Sequence, residues 1–135
     1  MKTLKQISLL ILISIVTSCA SIKQDPYTLS ETKETKEITL KLIDLSTQPY
    51  INHVKSIDSV KTRLQSLLSY QKSKKNNIVL IEMFKILVKD NGKVYGFFNI
   101  WKKNNVLATY FINQSKEEIM FGFDQILELE NKKDK

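Results

Sequence analysis

From Ile78 to Trp101 the chain reads IVLIEMFKILV-KDNG-KVYGFFNIW. Its first part is apolar except for Glu82 and Lys85, a run that fits a strand buried on both faces. Asp90-Asn91-Gly92 is the sharpest local punctuation in the chain, because Asn-Gly accepts the positive φ angles of a type I′ hairpin turn. A two-residue turn there sets Val88 opposite Tyr95, Ile86 opposite Phe97 and Phe84 opposite Asn99. Leu87, Lys85 and Met83 then oppose Gly96, Phe98 and Ile100 on the other face. Both faces are largely apolar, whereas a sheet with one wet face alternates more cleanly. The expectation is a sheet covered by helices on both sides, or by one helix and a partner.

Downstream, Lys102-Lys-Asn-Asn105 reads as a second turn and Val106 to Asn113 as a third strand. Ser115-Lys-Glu-Glu118 has the spacing of a capping box. Ile119, Phe123, Ile126 and Leu127 then give a final helix over about 116–130 its inward stripe. Upstream, Val54, Ile57, Val60, Leu64, Leu67 and Leu68 recur at three- and four-residue steps, predicting an amphipathic helix over about 54–71. Residues 37–45 fit a strand or a helix, and the alternation of Ile38, Leu40 and Leu42 with Thr39 and Lys41 favours the strand. The predicted class is α+β: a three-stranded antiparallel meander over about 78–113, with a helix on either side in sequence.

The N-terminus has a separate character. Lys2 and Lys5 precede an uncharged run from Ile7 to Val16. A helix needs about 20 apolar residues to span a bilayer, so this run has the length of a signal-peptide core. Val16-Thr17-Ser18-Cys19 follows directly, and it resembles the lipobox of bacterial lipoproteins. The resemblance covers residues 1–19. It implies diacylglyceryl attachment to the Cys19 sulfur, cleavage before that residue, and acylation of the new N-terminus. Residues 1–18 are then a signal peptide, 19–36 a lipidated N-terminus and flexible tether, and 37–131 a single domain. Ala20, in place of Asp, is compatible with passage to the outer membrane if the organism is diderm. With 37–45 helical, the element order is also similar to small lipoprotein subunits of outer-membrane assembly machinery, in order alone.

Composition narrows the chemistry. One cysteine excludes an internal disulfide framework, and one histidine argues against a Cys/His zinc site. The formal charge is +7, and loss of Lys2 and Lys5 with the signal leaves +5. Lys55, Lys61, Arg63, Lys72, Lys74 and Lys75 concentrate it against Asp58 alone, marking candidate contacts with anionic headgroups. Export removes nucleic acid as a partner. His53 has no carboxylate or nucleophile beside it in sequence, and proton transfer needs one. Glu117 and Glu118 suit a helix's first turn. In the hairpin register Glu82 lies opposite Trp101, so Glu82, Tyr95, Trp101 and Tyr110 form a candidate pocket.

No catalytic residue, cofactor or metal is implied. The expected role is that of a lipid-anchored envelope protein, non-enzymatic, binding another envelope protein as an accessory or scaffold. The alternatives are a ligand-binding or hydrolytic domain around that pocket, and an inhibitor or immunity protein against an envelope-active enzyme.

Overall fold

A computed structural model of the chain describes residues 23–133, and these are helical almost throughout. Five α-helices follow in order: α1 Pro26–Asp44, α2 Val54–Ser73, α3 Ile78–Val88, α4 Lys93–Asn104 and α5 Thr109–Asn131. Two 3₁₀ turns, Leu45–Thr47 and Tyr50–His53, join α1 to α2. No strand occurs among the described residues. The α+β class and the three-stranded meander are therefore wrong, and with them the likeness in element order to assembly-machinery subunits.

The stretch from Ile78 to Trp101 forms two helices. In α3 the buried positions are Leu80, Phe84, Leu87 and Val88, spaced by four, three and one, which is one helical face. Ile78, Val79 and Ile86 are exposed. Their apolar character fills the gaps in the pattern and hides its period. In α4 the buried set is Val94, Phe97, Phe98 and Trp101, again a helical spacing. Eleven residues is also long for a strand and ordinary for a helix.

Asn91-Gly92 turns the chain without positive φ, since Gly92 sits at φ −71° as the residue before α4. Glycine is required there by crowding, because a Cβ at Gly92 would stand 2.6 Å from the Ile86 carbonyl oxygen and 2.9 Å from Lys89 backbone atoms. Positive φ occurs instead at Asn76 and Asn105, in the turns that follow α2 and α4. Asparagine tolerates that region better than most residues. Of the expected third strand, residues 106–108 form a short link and residues 109–113 belong to α5. Ser115 lies inside α5, so its capping box caps nothing.

Residues 37–45 also change. All but Leu45 belong to α1, and Leu45 opens the first 3₁₀ turn. Because α1 begins at Pro26, the expected tether is helix over 26–36. Proline suits the first turn of a helix, where no N–H partner is lost. Its inward face carries Thr28, Thr32, Thr35 and Thr39 before Leu42 and Ile43. That stripe has helical spacing, yet a hydrophobicity reading counts it as polar.

α5 packs against α1, α3 and α4, while α2 packs against α1 and α3. Trp101, Phe84, Phe98 and Phe123 are the largest fully buried side chains. Each fully buried residue of the Val, Leu, Ile or Phe kind contributes about 1.5–3 kcal/mol of transfer free energy. At one end of the bundle the α1–α2 connection is stitched to the turn after α4. Leu107 N–H donates to the Ser46 carbonyl at 2.9 Å and Tyr50 N–H to the Asn105 carbonyl at 2.9 Å. The Trp101 indole N–H is shared between the carbonyls of Gln48 and Asn105, each 3.0 Å away.

The threonine face has a cost. The hydroxyls of Thr32 and Thr35 are buried with no hydrogen-bond partner, whereas Thr39 donates to the Thr35 carbonyl at 2.7 Å. A buried hydroxyl without a partner costs about 1–3 kcal/mol. Thr32→Val and Thr35→Val keep the shape and remove that group, so each should stabilise the fold by about 1 kcal/mol. Urea unfolding of the two variants checks this. A lower midpoint in both would mean that the hydroxyls are bonded.

Candidate functional site

The four residues of the sequence-derived pocket do not meet. Glu82 is exposed on α3 and accepts a hydrogen bond from Lys85 at 2.6 Å, which holds its carboxyl below the usual carboxylate range. A general acid would need the opposite shift. Tyr95, on α4, donates from its hydroxyl to the Lys61 carbonyl at 3.1 Å, and burial pushes its phenol up. Trp101 is wholly buried, with the rings of Tyr50 and His53 against it at 5.7 and 5.3 Å. Tyr110 is 80% exposed in the first turn of α5. The hairpin register that joined them does not exist. His53 shares a 2.9 Å hydrogen bond with the Gln48 side-chain oxygen, a surface contact over the core tryptophan.

The basic residues divide along α2. Lys55 is exposed in its first turn. Lys61 lies 5.2 Å over the Tyr95 ring. Arg63 pairs with Glu31 at 3.3 Å and Glu34 at 2.9 Å, both on α1. Lys72, Lys74 and Lys75 follow at the far end, where α2 turns into α3. Cys19 and the lipobox lie outside the described residues.

That far end holds the most organised polar cluster, and the sequence reading missed it. Asp25 caps α1: one carboxylate oxygen accepts from the Tyr27 and Thr28 backbone N–H groups, and the other from the Thr28 hydroxyl at 2.8 Å. The Lys74 ammonium forms an ion pair with the same carboxylate and lies 4.5 Å over the Tyr70 ring. The Gln71 amide donates to the Thr28 hydroxyl at 2.7 Å, and the Asn77 amide donates to Gln71 at 2.8 Å. Glu130, buried at the end of α5, accepts from the Asp25 backbone N–H at 2.7 Å and lies 2.6 Å from the Lys133 ammonium. The start of α1, the end of α2, the start of α3 and the end of α5 are thus tied together by side chains. An Asp-Pro pair before a helical threonine stripe was the signal in the sequence.

Burial alone would raise the Asp25 carboxyl. Its hydrogen bonds to Lys74 and to the Thr28 hydroxyl and N–H outweigh that and lower it to about 2. Lys74 is raised in turn, its own burial being outweighed by Asp25 and the Tyr70 hydroxyl. This is the chemistry of a structural clasp, with charges fixed at neutral pH.

Two further surface features flank α5. A cavity of about 390 Å³ opens between α4 and α5, lined by Gly96, Phe97, Phe111 and Ser115, with the Lys93–Glu118 ion pair at its rim. Beside it, α3 and α5 flank a shallow groove that carries Met83, Ile86 and Phe121. Phe121 is 61% exposed and Ile86 49%. Gly122 lets the two helices approach, since a Cβ there would stand 3.0 Å from a Leu87 methyl carbon. Among the described residues no group of His, Cys, Asp and Glu is placed to hold a metal ion. No helix among them is long and apolar enough to cross a membrane.

The chain matches no family model, no curated protein and no solved structure. Its reading therefore rests on its own residues.

The clasp gives a pH dependence of fixed sign. A carboxyl whose pKa is depressed on folding contributes stability that is present above its unfolded value, near 3.8, and lost as pH falls toward 2. Asp25→Asn keeps an N-capping side chain and removes the charge. The variant should lose about 2 kcal/mol at pH 7 and converge on the parent near pH 2. Urea unfolding at pH 7, 4 and 2 checks it, and a constant difference across that range would reject the clasp.

Proposed function

We propose that this chain is a lipid-anchored protein of the bacterial cell envelope, at the outer membrane if the organism is diderm. On this reading its helical domain is non-enzymatic and binds another envelope protein as an accessory or scaffold. The observation that carries the reading is Cys19 at the end of a lipobox, six residues before the cap of α1. Two long acyl chains give stable membrane attachment where one does not. Six residues reach at most about 20 Å, so an anchored domain is held against the bilayer, with the Asp25 clasp at its near end.

The groove between α3 and α5 supports a protein-binding task. Exposed Ile86 and Phe121, with half-buried Met83 between them and the core, form an apolar strip on two helices that pack on each other, a feature that marks interaction surfaces. An amphipathic helix of a partner is the kind of segment such a groove takes. The hydrolytic alternative rests on a hairpin register that brings Glu82, Tyr95, Trp101 and Tyr110 together, and these residues lie on α3, α4 and α5 instead.

Cys19→Ser should move the protein out of the membrane fraction and abolish the mass added by acylation. A variant that still sediments with membrane would sink the anchor. For the partner, a photo-crosslinking residue at position 121 in intact cells should give one discrete adduct, and the same residue at the exposed position 102 should give none. Equal labelling from both would remove the strip as a binding surface.

A further inference from the structure

We infer that the clasp end of the bundle is a seat for an anionic phospholipid surface. The inference rests on the lipid-anchor reading and adds an orientation to it.

Three observations converge. The first is where the chain leaves the fold: Asp25 is pinned to Glu130 and Lys74, so the segment from Cys19 departs from this end. The second is charge. Among the described residues the acids at this end are already occupied, Asp25 by Lys74, Glu130 by Lys133 and Glu128 by Lys132. Lys23, Lys72 and Lys75 are exposed, and none of them pairs with an acid among the described residues. Uncompensated lysines within a Debye length of an anionic leaflet are drawn to it.

The third observation is apolar. α3 opens with Ile78 and Val79, 74% and 62% exposed, just after the turn at Lys74–Asn76 that follows α2. Neighbouring Leu80 is buried, so these two branched side chains point away from the core. Lys132 and Lys133 line the shallow clefts beside Val79, and Lys75 is three residues before Ile78 in sequence. Apolar side chains near lysines match the headgroup boundary, where the chains enter the acyl edge and the ammonium groups meet phosphate. Charge alone would suit any acidic partner. The pairing with an apolar tip, at the end where an acylated chain emerges, selects a lipid surface.

The remaining basic residues of α2 are not part of the seat. Lys55 is seventeen residues before Lys72, roughly 25 Å along the helix. Arg63 is spent on Glu31 and Glu34, and Lys61 lies over Tyr95.

The test uses the full-length protein, processed in cells, purified from membranes and reconstituted into vesicles. An environment-sensitive probe is placed on Val79→Cys or, at the opposite end, on Tyr110→Cys. Both positions are exposed, so labelling leaves the core intact. Quenching is read from a lipid-borne quencher in vesicles of phosphatidylcholine alone or with phosphatidylglycerol. Expected is at least three-fold stronger quenching at position 79 than at 110 in phosphatidylglycerol vesicles. It should fall to the phosphatidylcholine level with Lys72→Glu/Lys75→Glu or in high salt. Equal quenching at both positions, quenching at neither, or no dependence on anionic lipid would overturn the seat. The mass of the purified chain separates the two claims. A chain without acyl mass defeats the anchor and the seat together, while an acylated chain with an unquenched position 79 defeats the seat alone.

Discussion

A single carboxylate closes one end of this bundle. Asp25 starts α1, receives Lys74 from the turn after α2, and presents its backbone N–H to Glu130 near the end of α5. α1 needs such a device, because its inward face before Leu42 is threonine and buries little apolar area. A helix of that composition gains less from packing than α3 or α4, whose inward faces are leucine, valine and aromatic rings. The charged cap fixes where α1 begins and which neighbours it meets. Salt bridges along its length, Lys36 to Asp124 and Asp44 to Lys116, align it with α5, but these are more exposed and worth less.

Sequence and structure part at identifiable residues. The helix from Val54 was legible, since Ile57, Val60, Leu64, Leu67 and Leu68 are all buried and polar residues separate them. The same period is present in α3, but Ile78, Val79 and Ile86 lie on its outer face and blur it. α1 failed for the converse reason, with threonine standing where a helix face normally shows leucine. Asn91-Gly92 misled because two physical needs call for glycine: a positive φ, which the hairpin would have used, and close backbone approach, which this turn uses. In α5, Ile119, Phe123 and Ile126 were legible. Its start lay upstream of the apparent capping box because the first turns expose Tyr110 and hide Ile112.

The candidate site was less legible than the fold. Six basic residues stood out by number, yet they split into one exposed lysine, one ring contact, one arginine paired with α1 and a cluster of three at one end. Only the arrangement in space tells which are neutralised, as Arg63 is by two glutamates of α1. Exposed apolar side chains were invisible for a related reason. Within an apolar run nothing marks Val79 as outward and Leu80 as inward until the helical phase is known.

The clasp also sets a timetable. Asp25 and Glu130 are 105 residues apart in sequence, and α1 packs most extensively on α5. A chain made or threaded from its N-terminus therefore carries α1 for most of its length with only α2 to dock on and without α5, its most extensive partner. Contacts of such long range form late, and a threonine-faced helix shows little apolar surface while it waits, which limits aggregation. The same polarity that weakens α1 in the finished bundle leaves it with little apolar surface to hide before its last helix arrives.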